Sequence, residues 1–259
     1  MIRSQSLMIS VKLALTLTLV TGCGQIRSTL PSMERVADIA KESAMEPETW
    51  VPLTAAAVIG VTGSDDNISD WASDHTPIFG SQNNARSVSD GVRNTLVAGM
   101  VLSSIFTPVA KGDNTFPTRR VATNALAFGT IAGIVETGKR TVNRDRPNER
   151  DDRSFPSGHS SGSFSSAILI EQNLNAFVEQ PWLRKSIKAG TIGGAAAVAW
   201  ARVEAQEHFP VDVLVSAALS NFVVKVFYRS IGSEGHSIAA PIAIEAGRQG
   251  FMLKLGHSF

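Results

Sequence analysis

Three short clusters in this chain hold residue types that can work on an anion. The first runs from Lys139 through Arg146 to Pro147, and residues 139–153 carry Lys139, Arg140, Arg144, Arg146, Arg150 and Arg153 against four acidic side chains. Alone, that composition describes a solvated charged loop whose local ion pairs are each worth little. The second cluster, Ser154 to His159, contains Pro156, Ser157, Gly158 and His159 ahead of an apolar run, Ser160 to Ile170. It predicts a helix whose first amides, near Ser157 and Gly158, form a ready anion site with His159 on the first turn. Gly158 leaves room for a ligand to approach the backbone. The third cluster holds Arg202, His208, Pro210 and Asp212. Pro210 suits the first turn of a helix, and the four-residue spacing puts His208 and Asp212 on one face. A carboxylate so placed can hold one imidazole nitrogen and leave the other free to attack.

Taken together, the clusters resemble the signature of the phosphatidic acid phosphatase type 2 (PAP2) superfamily. That signature is Lys, six residues, Arg-Pro; then Pro-Ser-Gly-His; then Ser-Arg, five residues, His, three residues, Asp. The chain matches it at ten positions in the right order and spacing, and departs only at Ala201, where the family usually has Ser. The resemblance implies an all-α, PAP2-type helical bundle. It assigns Lys139, Arg146 and Arg202 to the phosphoryl oxygens, with Ser157 and the Gly158 amide as further donors. It makes His208 the nucleophile, oriented by Asp212, and His159 the group that protonates the leaving oxygen and then activates water. With three cations offsetting the phosphate charge, neither a metal nor a cofactor is expected. Ala201 implies weakened support for Arg202.

The elements that must position these residues are legible as apolar windows. Uncharged stretches at 49–64, 94–110, 121–135, 189–201 and 213–224 have helical length, and each is bounded by charge. None reaches the roughly 18–20 residues of a membrane span, so they predict a compact bundle. Residues 63–83 are rich in Asp and Asn and predict a long loop; Asp65, Asp66, Asp70, Asp74 and His75 lack any metal-ligand spacing and read as its solvated face. The tail alternates around Gly247 and Gly250 and predicts a small C-terminal β-hairpin. The expected division is a lipoprotein signal peptide at 1–22, a tether and short helix at 23–48, the catalytic bundle at 49–232 and the hairpin tail at 233–259.

Composition narrows the class further. The 259 residues hold 24 basic and 23 acidic side chains, which leaves no excess charge for a nucleic acid backbone. The single cysteine excludes a disulfide framework and a cysteine zinc site. That residue, Cys23, follows a basic flank and the short apolar run Leu13 to Val20, a pattern that resembles a bacterial lipoprotein signal. It implies lipidation at Cys23 and, with Gly24 next, an outer-membrane lipoprotein facing the periplasm of a Gram-negative cell. The expected activity is a phosphatase acting on phosphomonoesters or pyrophosphates, either phosphorylated lipids or periplasmic organic phosphates, through a phosphohistidine. The competing readings are a vanadium haloperoxidase, similar in this site, and a non-catalytic envelope lipoprotein.

Overall fold

The computed structural model describes residues 32–107, 118–175, 178–232, 242–247 and 250–255. The expected signal peptide and Cys23 lie outside the described residues. Among the described residues eight helices follow in chain order: α1 (Met33–Ala44), α2 (Pro47–Thr62), α3 (Asp65–His75), α4 (Gln82–Phe106), α5 (Thr118–Val142), α6 (Gly158–Asn175), α7 (Pro181–Glu204) and α8 (Pro210–Phe227). A π-helical turn, Tyr228–Gly232, continues α8. Two short strands, Ile242–Gly247 and Gly250–Leu255, run antiparallel to each other.

The helix starts are written in local chemistry. Ser32 and Ser81 accept the amides of Arg35 and Asn84 at 3.2 Å, capping α1 and α4. Pro47, Pro181 and Pro210 open α2, α7 and α8, where a missing N–H costs nothing. Gly63 ends α2 at φ 64°, a left-handed cap that glycine adopts without strain. The five uncharged windows lie largely inside α2, α4, α5, α7 and α8, as their length requires.

The chain departs from the sequence expectation at residues 63–83. Most of that stretch is helix α3, and only 76–81 links it to α4. The buried face of α3 consists of Asp65, Ser69, Ala72 and Ser73, a helical repeat written in polar residues. A search for apolar periodicity passes over such a helix. Nor is Asp65 solvated: it is 6% exposed and ion-paired.

Helix α6 runs through the middle, packed on α4, α5, α7 and α8, while α2 lies along α8. Leu96, Met100, Ala127, Ala167, Leu169, Ala195 and Val224 form the main core. Small buried hydroxyl residues of α6 and α8, among them Ser161, Ser165, Ser216 and Ser220, let the backbones approach closely. The approach is tightest at Gly138 of α5, beside Lys139. A Cβ there would stand 2.7 Å from Pro156 Cδ, so the missing side chain lets the segment leading into α6 press against α5. Gly138→Ala is expected to destabilise the fold by about 1–3 kcal/mol through overpacking. Gly133→Ala, whose Cβ meets nothing within 4 Å, is expected to raise stability by up to about 1 kcal/mol through helix propensity. The thermal midpoints of the two variants check the contrast.

Candidate active site

His208 lies in the turn between α7 and α8. The amides of Glu207 and His208 both return to the Arg202 carbonyl, at 3.0 and 3.3 Å, which folds the turn back on the end of α7. The ring is 2% exposed. Its Nδ1 donates to the Ser154 carbonyl at 2.6 Å, and this fixes the tautomer that leaves a lone pair on Nε2. Burial pulls the pKa down to about 4, against the opposing pull of Asp212. The ring is therefore neutral over the ordinary pH range.

The sequence reading paired Asp212 directly with His208, and the structure revises that. Asp212 Oδ2 is 3.8 Å from His208 Nδ1, beyond hydrogen-bond length. The same oxygen accepts the Ser154 hydroxyl at 2.5 Å and the Phe209 amide at 3.0 Å. The carboxylate thus acts at one remove: it fixes Ser154, and the Ser154 carbonyl fixes the imidazole. The physical reason is that the first turn of α8 consumes the carboxylate as a cap on the Phe209 amide. Burial would raise the Asp212 pKa, but contact with His208, Arg144 and Ser154 outweighs it and holds the group below its ordinary value.

Arg144 is a site residue that sequence reasoning missed. Its two terminal nitrogens reach Asp212 Oδ1 and Asp65 Oδ2, each at 2.7 Å, and its guanidinium lies 4.0 Å above the Phe209 ring. Asp65 also accepts the Val211 amide at 2.9 Å, so α3 is tied to the start of α8. In the sequence Arg144 is one of six basic residues in a charged stretch, and nothing local separates it from Arg150.

The three expected phosphate cations converge. Arg146 Nη1 and Arg202 Nη2 meet on one carboxylate oxygen of Glu207, at 2.5 and 3.1 Å. Arg86 of α4 takes the other oxygen at 2.8 Å, and Arg146 Nε also holds Asp151 at 2.6 Å. Arg202 Nε is buried with no hydrogen-bond partner. Ser89 Oγ accepts from Arg202 Nη1 at 3.3 Å. Arg202 therefore keeps its support without a serine at 201. Ala201 itself is fully buried against Ala85, Ala205 and Phe79. Lys139 donates to the Arg153 carbonyl, and burial, reinforced by Arg146 and Arg153, lowers its pKa to about 8. Lys139 and Arg202 both act electrostatically on His208. Ser157, fully buried, accepts the Ser160 amide at the head of α6, and its own amide donates to the Asp212 carbonyl at 3.4 Å. A Cβ at Gly158 would lie 3.9 Å from Lys139 Cε, so the two are neighbours.

His159 joins the group from the first turn of α6. Its Nε2 lies 2.7 Å from Asp90 Oδ1 and 3.2 Å from Arg93 Nη1. Burial, helped by Arg202 and Arg93, lowers its pKa to about 4, while Asp90 opposes the shift. One face of α4 thus supplies Arg86, Ser89, Asp90 and Arg93. Their three- and four-residue spacing was the available signal, but the charge pattern of α4 carries no motif. Among the described residues no group of three or more His, Cys, Asp or Glu side chains could hold a metal ion.

A bundle that gathers two histidines, three cations and a helix N-terminus defines a class of protein. Residues 120–235 match the family model of the PAP2 superfamily. A lipid A 1-phosphatase of Porphyromonas gingivalis is 27% identical over 110 residues, 42% of this chain. The match spans 23% of that relative's length. The crystal structure of the first transmembrane PAP2 type phosphatidylglycerolphosphate phosphatase from Bacillus subtilis shares the fold, with a TM-score of 0.54 at 23% identity over 71% of this chain and 95% of that one.

Removing Arg144 leaves two buried carboxylates facing each other. Arg144→Ala is expected to cost about 3 kcal/mol, the low end for a broken buried ion pair. Asp65→Asn in that background should restore part of the loss, as read from the midpoint of denaturant unfolding.

Proposed function

We propose that this chain is a phosphatase that hydrolyses phosphomonoesters or pyrophosphates through a phosphohistidine, without a metal. The observation that carries the reading is the state of His208: neutral, desolvated, held at Nδ1 by the Ser154 carbonyl and set beside Lys139 and Arg202. A neutral imidazole with one nitrogen fixed offers the other as a nucleophile. Lys139, Arg146 and Arg202 neutralise the phosphoryl oxygens, and the buried, unpartnered Arg202 Nε is a donor suited to one of them. Ser157 and the Gly158 amide complete the cradle at the head of α6. Asp212 is a positioning residue that works through Ser154.

His159 then serves the leaving group. Asp90 keeps a proton on Nε2, so Nδ1 is the working nitrogen. In the free site the pKa near 4 leaves the ring mostly neutral above that value. An arriving phosphate dianion favours the imidazolium and arms it as an acid. After the alcohol or phosphate departs, neutral His159 takes a proton from water, which attacks phosphorus and releases His208.

Phosphorylated lipids are the favoured substrates. Large apolar side chains stand exposed on α2 (Trp50, Val58, Val61), on the C-terminal half of α4 (Leu102, Phe106) and at the start of α7 (Trp182). Such surface suits contact with a membrane. Among the described residues one helix, Pro210–Ser230, is also long and apolar enough to cross a bilayer. We place the chain at the periplasmic face of an outer membrane, with residues 1–22 removed and Cys23 lipidated, on the strength of the leader pattern.

His208→Ala is expected to reduce phosphate release from phosphatidic acid micelles and from a soluble aryl phosphate by about 10³-fold or more. Alkaline denaturing quench of the wild type with labelled substrate should trap an acid-labile phosphohistidine that the variant lacks. Unchanged release by the variant would overturn the scheme. Lys139 adds a pH signature. Its lowered pKa means its charge fades as pH rises through about 8. KM should therefore climb above that pH in the wild type and stay flat in Lys139→Arg.

His159 titrates differently. Asp90→Asn removes the group that opposes the fall of the His159 pKa. The alkaline limb of kcat/KM, which requires protonated His159, should then move to lower pH.

A further inference from the structure

The cations around the site divide into two groups. Arg86, Arg146 and Arg202 share Glu207, Arg144 lies between Asp65 and Asp212, and Arg153 pairs with Glu136. Lys139 and Arg93 are different: among the described residues neither has a carboxylate within ion-pair distance. Lys139 serves the transferred phosphoryl group in the reaction above. Arg93 has no part in it.

The setting of Arg93 is specific. Its Nε and Nη2 rest on the Asn94 amide oxygen at 3.3 and 3.0 Å, a contact that orients the guanidinium without cancelling its charge. Its Nη1 lies 3.2 Å from His159 Nε2, the nitrogen that faces Asp90 at 2.7 Å. With the Nε2 proton donated to Asp90, that nitrogen has no lone pair left to accept from Arg93. Among the described residues the prong nearest the ring is therefore a charged donor without a protein acceptor. It stands beside the group that serves the leaving oxygen.

We propose that Arg93 binds a second anionic group on the leaving-group side, so that the chain favours diphosphates over simple monoesters. The proposal rests on the phosphatase reading above and names its substrate class. In the first step the bond from His208 Nε2 to phosphorus forms as the bridging P–O bond breaks. The electron pair stays on the bridging oxygen, which takes the proton of His159 and leaves attached to the second phosphorus. Arg93, whose Nη1 lies 3.2 Å from the far nitrogen of His159, reaches past the ring to the non-bridging oxygens of that departing phosphate and offsets their charge. A neutral alcohol leaves this donor unmet.

The test compares an alkyl diphosphate with the alkyl monophosphate of the same chain length, in detergent micelles with the full chain. The ratio of their kcat/KM values is expected to favour the diphosphate in the wild type. Arg93→Gln should lower that ratio about ten-fold, the worth of one charge-assisted hydrogen bond, and Arg93→Lys should recover most of it. A ratio unmoved by Arg93→Gln overturns the assignment and leaves the phosphatase reading standing. Failure of the wild type to hydrolyse either compound overturns both. A second measurement needs no variant: methylenediphosphonate should inhibit wild-type monoester hydrolysis about ten-fold more tightly than methylphosphonate, on the same reasoning. Equal inhibition overturns the proposal even where Arg93→Gln fails to fold.

Discussion

A buried carboxylate must be answered by cations, and Glu207 imposes that requirement on the α7–α8 turn. The side chain is 3% exposed. Arg86 comes to it from α4, Arg146 from the loop after α5 and Arg202 from the end of α7. Three guanidinium groups so close together repel one another, and the carboxylate between them is what makes their meeting tolerable. Glu207 takes one nitrogen from each, and among the described residues Arg202 Nε is left without a partner. In the proposed reaction this makes a cationic cup that is assembled before any phosphate arrives, and such preorganisation is what stabilises a transition state.

Next to it lies a second set of charges with a different purpose. Asp65, Arg144 and Asp212 alternate in sign across α3, the α5–α6 loop and α8. Asp212 is fully buried and Asp65 nearly so, and each needs Arg144. The ion pairs of this set involve none of Arg86, Arg146, Arg202 and Glu207. It holds Ser154, and through the Ser154 carbonyl it holds the imidazole of His208. The two charge sets meet in sequence at Glu207 and His208, adjacent residues with opposite tasks. One organises the cations, and the other stays neutral among them because burial disfavours its charged form.

The helices are where sequence and structure agree most simply. Apolar windows of helical length fall in helices because each buries a stripe against α6 or α8. Helix α3 escaped that logic, since its buried face is Asp65, Ser69, Ala72 and Ser73 and its burial is driven by ion pairs and close backbone approach. The site shows the same division. His208, His159, Lys139, Arg146 and Arg202 stand in motifs with fixed spacing, and those spacings reflect local geometry around a helix start or a turn.

The residues around them, Arg144, Asp65, Ser89, Asp90, Arg93 and Glu207, occupy no motif of their own. Each becomes part of the site only because a helix distant in the chain is packed against it. The sequence by itself determined which chemistry the proposed reacting groups could do, because spacing within one turn dictates which of them can share a face. Only the tertiary structure decided their partners, tautomers and protonation. Those depend on burial and on partners 54 to 121 residues away, and a linear pattern contains no record of such distances.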